Sequence, residues 1–155
     1  MLTLVQMTDV LGKVPAPEFP LLVSHYNAIS TGLIAGVGTD TRQLKPGQLF
    51  VAIRGDTFDG NQMALKAAQA GAAALLMDDA NAAKLVHEQF TLLPIVVVRD
   101  TRQALGVLAR FWRQQFNLPV IGVCGSNGKT TVKEMINAIL IAQCGADHVL
   151  ARKAI

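Results

Sequence analysis

"LFVAIRGDTFDGNQMALKAAQAGAAALLM", residues 49 to 77, holds a strand, a helix and a second strand in one short run. "LFVAI" at 49 to 53 reads as a buried strand, "NQMALKAAQAG" at 61 to 71 as a helix stopped by Gly71, and "AAALLM" at 72 to 77 as the next strand. The alternation continues downstream. Residues 80 to 89 form a further helix, "PIVVV" at 94 to 98 is another apolar strand, and Asp100 is a cap for a helix over 101 to 116. Leu105, Leu108, Trp112 and Gln115/Phe116 trace one face of that helix, and Trp112, Met63 and Met77 are assigned to the core. Strand alternating with helix argues for an α/β architecture.

Upstream the pattern is less regular. Leu4, Met7, Val10 and Leu11 have helical spacing that ends at Gly12, and "KVPAPEFP" at 13 to 20 is a proline-rich connector. The stretch from Leu21 to Gly38 is ambiguous, its glycines at 32, 36 and 38 marking turns between short strands, and Pro46-Gly47 marks a tight turn. Near Asn117-Leu118-Pro119 the organisation breaks. "LPVIGVC" at 118 to 124 is a wholly apolar strand of the kind buried on both faces of a parallel sheet, a helix follows from Lys129 to about Gln143, and "HVLA" is strand-like. Two domains are expected, 1–117 and 118–155, the second only the opening of an α/β domain, with uncovered apolar surface at its first strand.

Composition bounds the partners. Apolar residues make up 51% of the 155 residues and charged residues 16%, so much of this surface expects cover. Fourteen basic and eleven acidic residues are scattered without a basic run, which points away from nucleic acid. Cys124 and Cys144 lack metal spacing and suit a reduced compartment, and His25, His87 and His148 lie too far apart to read as a ligand set. No apolar run approaches the roughly 20 residues of a membrane span, so a cytoplasmic protein is expected.

The chemistry concentrates in "IGVCGSNGKTTVKEM", residues 121 to 135. Gly125, Ser126, Asn127 and Gly128 can form a turn whose backbone N–H groups, with those of Lys129, Thr130 and Thr131 at the next helix start, favour phosphate oxygens. Lys129 would reach the β and γ phosphates of ATP, and the Thr130 hydroxyl would coordinate Mg²⁺ bridging them, making these two the candidate catalytic residues. The common loop spacing would require glycine where Val123 stands. What remains is a shortened form, or alternatively a glycine-rich helix entrance with no ligand.

"GSNGKTT" after an apolar strand resembles the ATP loop of the Mur ligases and the folylpolyglutamate synthetases, which use this shortened spacing. "TDTRQLKPGQLFVAIRGDTFDG" at 39 to 60 with "ALKAAQAGAAALL", and "VVVRDTRQALGVLA" at 96 to 109, resemble the N-terminal UDP-substrate domain of Mur ligases, a domain the folylpolyglutamate synthetases lack. "TVKEM" at 131 to 135 is similar to members that join D-Ala-D-Ala to UDP-N-acetylmuramoyl-tripeptide through an acyl phosphate; the ligase adding the third amino acid is the alternative. The resemblance implies that Thr41 and the loop Gly55, Asp56, Thr57, Phe58, Asp59 and Gly60 lie against the uridine diphosphate. Asp40, Thr41 and Arg42 offer carboxylate, hydroxyl and guanidinium partners for such a ligand, although a local Asp40–Arg42 ion pair and an ordinary turn explain the same residues. Asn61 departs from the histidine that relatives carry there. The family's later metal ligands, carbamylated lysine and closing third domain have no counterpart in this sequence. The expectation is a monomeric fragment, inactive alone, that binds UDP-substrate or nucleotide.

Overall fold

The computed structural model describes residues 2–12 and 33–151, and the chain falls into two compact units, Met1–Phe116 and Asn117–Ile155. The expected connector at 13–20 and the start of the ambiguous stretch, through residue 32, lie outside the described residues.

In the first unit β1 (Leu2–Thr3) leads into α1 (Leu4–Gly12), and β1 pairs antiparallel with β2 (Leu33–Ile34). The main sheet holds β3 (Val37–Gly38), β4 (Leu49–Val51), β5 (Ala74–Met77) and β6 (Ile95–Val97), all parallel and in chain order. The connections are α2 (Ala64–Gln69) and α3 (Ala80–Gln89), with α4 (Thr101–Gln114) after β6. Because the strand order never reverses, crossovers of one hand put α2 and α3 on the same face, and the opposite face is left to α1 and α4. The side chains agree. Leu49, Val51, Leu76 and Val96 pack with Leu4, Met7 and Leu11 of α1 and Ala104 and Leu108 of α4. Their alternating neighbours Phe50, Leu75, Met77, Ile95 and Val97 pack with Ala64, Ala67 and Ala68 of α2 and Ala83 and Val86 of α3. Covered on both faces, every residue of β4, β5 and β6 is buried, which is why these strands read as unbroken apolar runs. Each large side chain so buried contributes about 2 kcal/mol of apolar transfer.

The helix starts follow from their caps. Asp79 accepts from the backbone N–H of Asn81 and Ala82, and Asp100 from those of Arg102 and Gln103. Three expectations are corrected. The helix over 61 to 71 begins as a 3₁₀ turn, Gly60–Met63, because Asp59 caps it and holds the chain tightly before α2 winds up. Met63 is only half-buried and lines a surface cavity. Trp112 is 40% exposed, because it stands on the wall of an open cavity with Ile34, Val37, Leu49 and Leu108 rather than inside the core, and its ring meets Phe116 edge-on at 5.4 Å.

The second unit departs further. Residues 118–124 form no strand, and Val120 and Ile121 are 71% and 58% exposed. An apolar run needs a neighbouring ladder to become a strand, and none lies beside it among the described residues. "HVLA" likewise forms no strand; a 3₁₀ turn at Ala146–His148 occupies its start. The helix is present as α5 (Lys129–Cys144), with no buried residue.

Candidate functional site

Parallel strands send the loops that follow them to one edge of the sheet, and there the first site is built. Beyond β3 the chain turns at Thr39–Arg42. Asp40 shapes that turn: Oδ1 accepts the Arg42 N–H at 3.0 Å, and the carboxylate takes both Nε, at 2.9 Å, and Nη2, at 2.7 Å, of the same arginine. These hydrogen bonds hold the Asp40 carboxyl at about 2, well below its ordinary range. The local ion pair left open by the sequence is thus formed, and Asp40 and Arg42 answer one another.

A cavity of about 470 Å³ opens beside this turn, lined by Thr39, Asp40, Thr41, Arg42, Phe58, Met63 and Lys66. Phe58, half exposed, gives it a flat apolar wall. Sequence reasoning found the Asp40–Arg42 turn and Phe58 but missed Thr39, Met63 and Lys66. Met63 and Lys66 sit three residues apart and so share a helix side, a signal that exists in the sequence but does not say what the side faces. The Lys66 ammonium has no hydrogen bond or ion pair among the described residues.

The rest of the 55–60 loop is spent on itself. Gly55 N–H donates to the Phe58 carbonyl at 2.7 Å, and Arg54 and Asp59 form an antiparallel bridge that closes the turn. Asp59 accepts from the backbone N–H of Asn61 at 2.9 Å, the main cause of its lowered pKa, with the Asn61 amide and Arg54 adding to it. Gly60 is a packing requirement: a Cβ there would lie 2.6 Å from Ile53 N and 2.7 Å from Ile53 O. Asp56 and Thr57 are exposed and stand outside the cavity. Asn61 is a buried tie. Its Nδ2 donates to Asp59 at 2.8 Å and to Asp78 at 2.7 Å, and its Oδ1 accepts the Asp78 N–H.

The second site belongs to the second unit. Gly128 caps α5 with φ +74, and Gly125 has φ +151, conformations that glycine alone adopts without strain. No side chain caps the helix, so the first-turn N–H groups of Lys129, Thr130 and Thr131 have no side-chain acceptor. The Lys129 ammonium folds back to donate to the carbonyls of Gly125 and Ser126. Gly125 thus stands four residues before the lysine whose ammonium its carbonyl accepts. Ser126, Asn127, Thr130 and Thr131 are exposed.

A parallel sheet flanked by helices on both faces, with the strand-end loops gathered at one edge, defines a class, the parallel α/β proteins. Within it, the chain belongs to the Mur ligase family, whose model, described as "Mur ligase family, catalytic domain", matches residues 33–113. The UDP-N-acetylmuramoyl-tripeptide–D-alanyl-D-alanine ligase of Escherichia coli K12 is 41% identical over 145 residues, covering 92% of this chain and 27% of that protein. A crystal structure of MurF from Acinetobacter baumannii superposes with a TM-score of 0.59 at 32% identity, over 75% of this chain and 24% of that one. MurF from Thermotoga maritima, solved in complex with ADP, gives 0.57 at 29% identity over 69% of this chain and 23% of its own. The chain spans about a quarter of the length of the curated relatives it matches. Among the described residues no helix is long and apolar enough to cross a membrane.

Proposed function

We propose that this chain carries the UDP-substrate domain, residues 1–117, and the ATP loop, from residue 118 on, of a ligase that joins D-Ala-D-Ala to UDP-N-acetylmuramoyl-tripeptide in the cytoplasm. In that reaction the tripeptide carboxylate takes the γ-phosphoryl group of ATP to give an acyl phosphate. The amine of D-Ala-D-Ala attacks it, and the tetrahedral intermediate collapses to the amide and phosphate, with ADP already formed.

This chain contributes placement and charge. In the first cavity the Phe58 and Met63 side chains suit the flat face of a base, and the Thr39 and Thr41 hydroxyls suit ribose oxygens. At the loop, open N–H donors, a helix N-terminus and a cation already gathered over the turn converge on phosphate oxygens. Lys129 exchanges the Gly125 and Ser126 carbonyls for those oxygens when a nucleotide arrives. Among the described residues no group of three or more His, Cys, Asp or Glu could cage a metal. The exposed Thr130 hydroxyl at the start of α5 would help hold Mg²⁺ brought in on the nucleotide, and the ion would supply charge neutralisation.

The observation that carries the reading is the uncapped α5 N-terminus with Lys129 folded over Gly125 and Ser126, in a chain of the Mur ligase family. Calorimetry tests it. UDP-N-acetylmuramoyl-tripeptide and MgATP are expected to bind this chain at separate sites, with Lys129→Ala abolishing only the second. Absence of any UDP-substrate binding would overturn the assignment of the first cavity.

A further inference from the structure

Asn61, 4% exposed, is one of three polar residues buried among the described ones, with Thr8 and Thr101. The two threonines spend their hydroxyls on single carbonyls, those of Val5 and Ala52. Asn61 joins two loops, and the groups facing it dictate its type. Asp59 and Asp78 present carboxylate oxygens, which only accept, and the Asp78 backbone presents an N–H, which only donates. A primary amide answers all three: the two hydrogens of Nδ2 go to Asp59 at 2.8 Å and Asp78 at 2.7 Å, and Oδ1 takes the Asp78 N–H at 3.3 Å. Asp78 lies 17 residues on, directly after β5, so the tie fastens the end of the 55–60 loop to the sheet. Arg54 bridges the same carboxylates, at 3.0 Å to Asp78 and 3.6 Å to Asp59, but its side chain is 51% exposed, where an ion pair adds little. The amide's bonds are shielded from water and make the stronger tether.

The neighbours of Asn61 in the chain face the first cavity. Phe58, three positions before it, and Met63, two after, both line that cavity. Asp78, at the far end of the tie, lines a second cavity of about 380 Å³ together with Arg54. Asn61 lines neither. Phe58 is half exposed, so packing alone does not fix its ring; its place depends on where the end of its loop is held.

We propose that Asn61 is a positioning residue for the nucleotide. It touches no ligand and acts through Phe58, holding the flat wall of the first cavity where a base can stack. This rests on the assignment of that cavity to the nucleoside.

A double-mutant cycle joined to hydrogen exchange tests it. UDP-N-acetylmuramoyl-tripeptide is titrated calorimetrically into the whole chain as wild type, Asn61→Ala, Phe58→Leu and the double variant, at a temperature where thermal melts show each one folded. Asn61→Ser, which keeps one donor, takes the place of Asn61→Ala if that variant does not fold. Asn61→Ala is expected to weaken binding about tenfold. Added to Phe58→Leu it should weaken binding no further, because the tie then has no ring left to position. In the free chain the Gly55 and Gly60 amides, bonded to the Phe58 and Ile53 carbonyls, should exchange roughly tenfold faster in Asn61→Ala, with the amides of β4 to β6 unchanged. Equal affinity in wild type and Asn61→Ala overturns the proposal, as does unchanged exchange at Gly55 and Gly60. A loss that simply adds to that of Phe58→Leu also overturns it, and makes Asn61 a general support of the fold. These three results leave the nucleoside assignment standing, whereas a wild type that binds no UDP-substrate removes that assignment and the proposal with it.

Discussion

Gly60 and Gly106 differ by what surrounds them. A methyl on Gly60 would run into the backbone of Ile53 and Ala52, which cannot rotate away, whereas nothing lies within 4 Å of one on Gly106, in mid α4. Gly60→Ala is therefore expected to destabilise by about 1–3 kcal/mol or more. Gly106→Ala should stabilise by about 0.5–1 kcal/mol through helix propensity, both read from urea denaturation. Acid stability is set at the same scale. Asp40, Asp59 and Asp100 all have lowered pKa values, Asp100 chiefly through the Gln103 N–H. A carboxyl depressed in the folded state stabilises above its unfolded value, 3.8, and loses that contribution as pH falls toward the folded value, about 2 for Asp40. Stability should accordingly decline from about pH 4 to 2, and Asp100→Asn, which keeps an oxygen for the cap but no charge, should flatten the decline. A slope unchanged in Asp100→Asn would remove that residue from the account. Much of this was legible: Asp100 as a cap follows from its place before an amphipathic run, while the packing of Gly60 depends on a strand nearby in space and leaves no mark in the local pattern.

Among the elements, the contrast between β4 and residues 118–124 shows what an apolar run does and does not determine. "LFV" and "LPVIGVC" are both uncharged apolar runs, yet Leu49, Phe50 and Val51 are fully enclosed between paired strands and two helix layers, while Val120 and Ile121 are exposed. Composition encodes the readiness of a segment to be a strand; the ladder beside it decides whether it becomes one. Hydrogen exchange should resolve this, with the amides of β4 to β6 protected and those of 118–124 exchanging near the rate of an unstructured peptide. Slow exchange across 118–124 would mean that a partner strand forms. Helix α4 shows the same limit in its last turns. Its heptad-like face placed Leu108 and Trp112 together, but only Leu108 reaches the core. Leu108→Ala is expected to cost about 2–5 kcal/mol, and Trp112→Ala less, since 40% of its surface is already in water. The fluorescence of the single tryptophan should report a partly wet environment before unfolding. Met63 and Lys66 mark the other boundary of legibility: their shared helix side was readable, but the cavity it faces is closed by a turn some twenty residues earlier.

At the scale of the molecule, all the buried hydrophobic side chains among the described residues lie between Leu4 and Leu108, inside the first unit. Both core clusters are complete there: the helix layers α1/α4 and α2/α3 are each assembled from residues before Phe116. Helix α5 and the glycine-rich turn before it bury nothing of comparable size. The stabilising free energy is therefore concentrated upstream of Asn117, and the break near Asn117-Leu118-Pro119 separates a unit that holds itself together from one that adds little to cohesion. Deleting residues 117–155 should leave a cooperative two-state melt within about 3 °C of the parent, a shift worth under 1 kcal/mol for a domain of this size. If the first cavity binds nucleotide as proposed, the shortened chain should also keep its affinity for UDP-N-acetylmuramoyl-tripeptide while losing MgATP. A fall in melting temperature of about 10 °C, on the order of 2 kcal/mol, would instead mean that the second unit supports the first, and the boundary would then have to be drawn elsewhere.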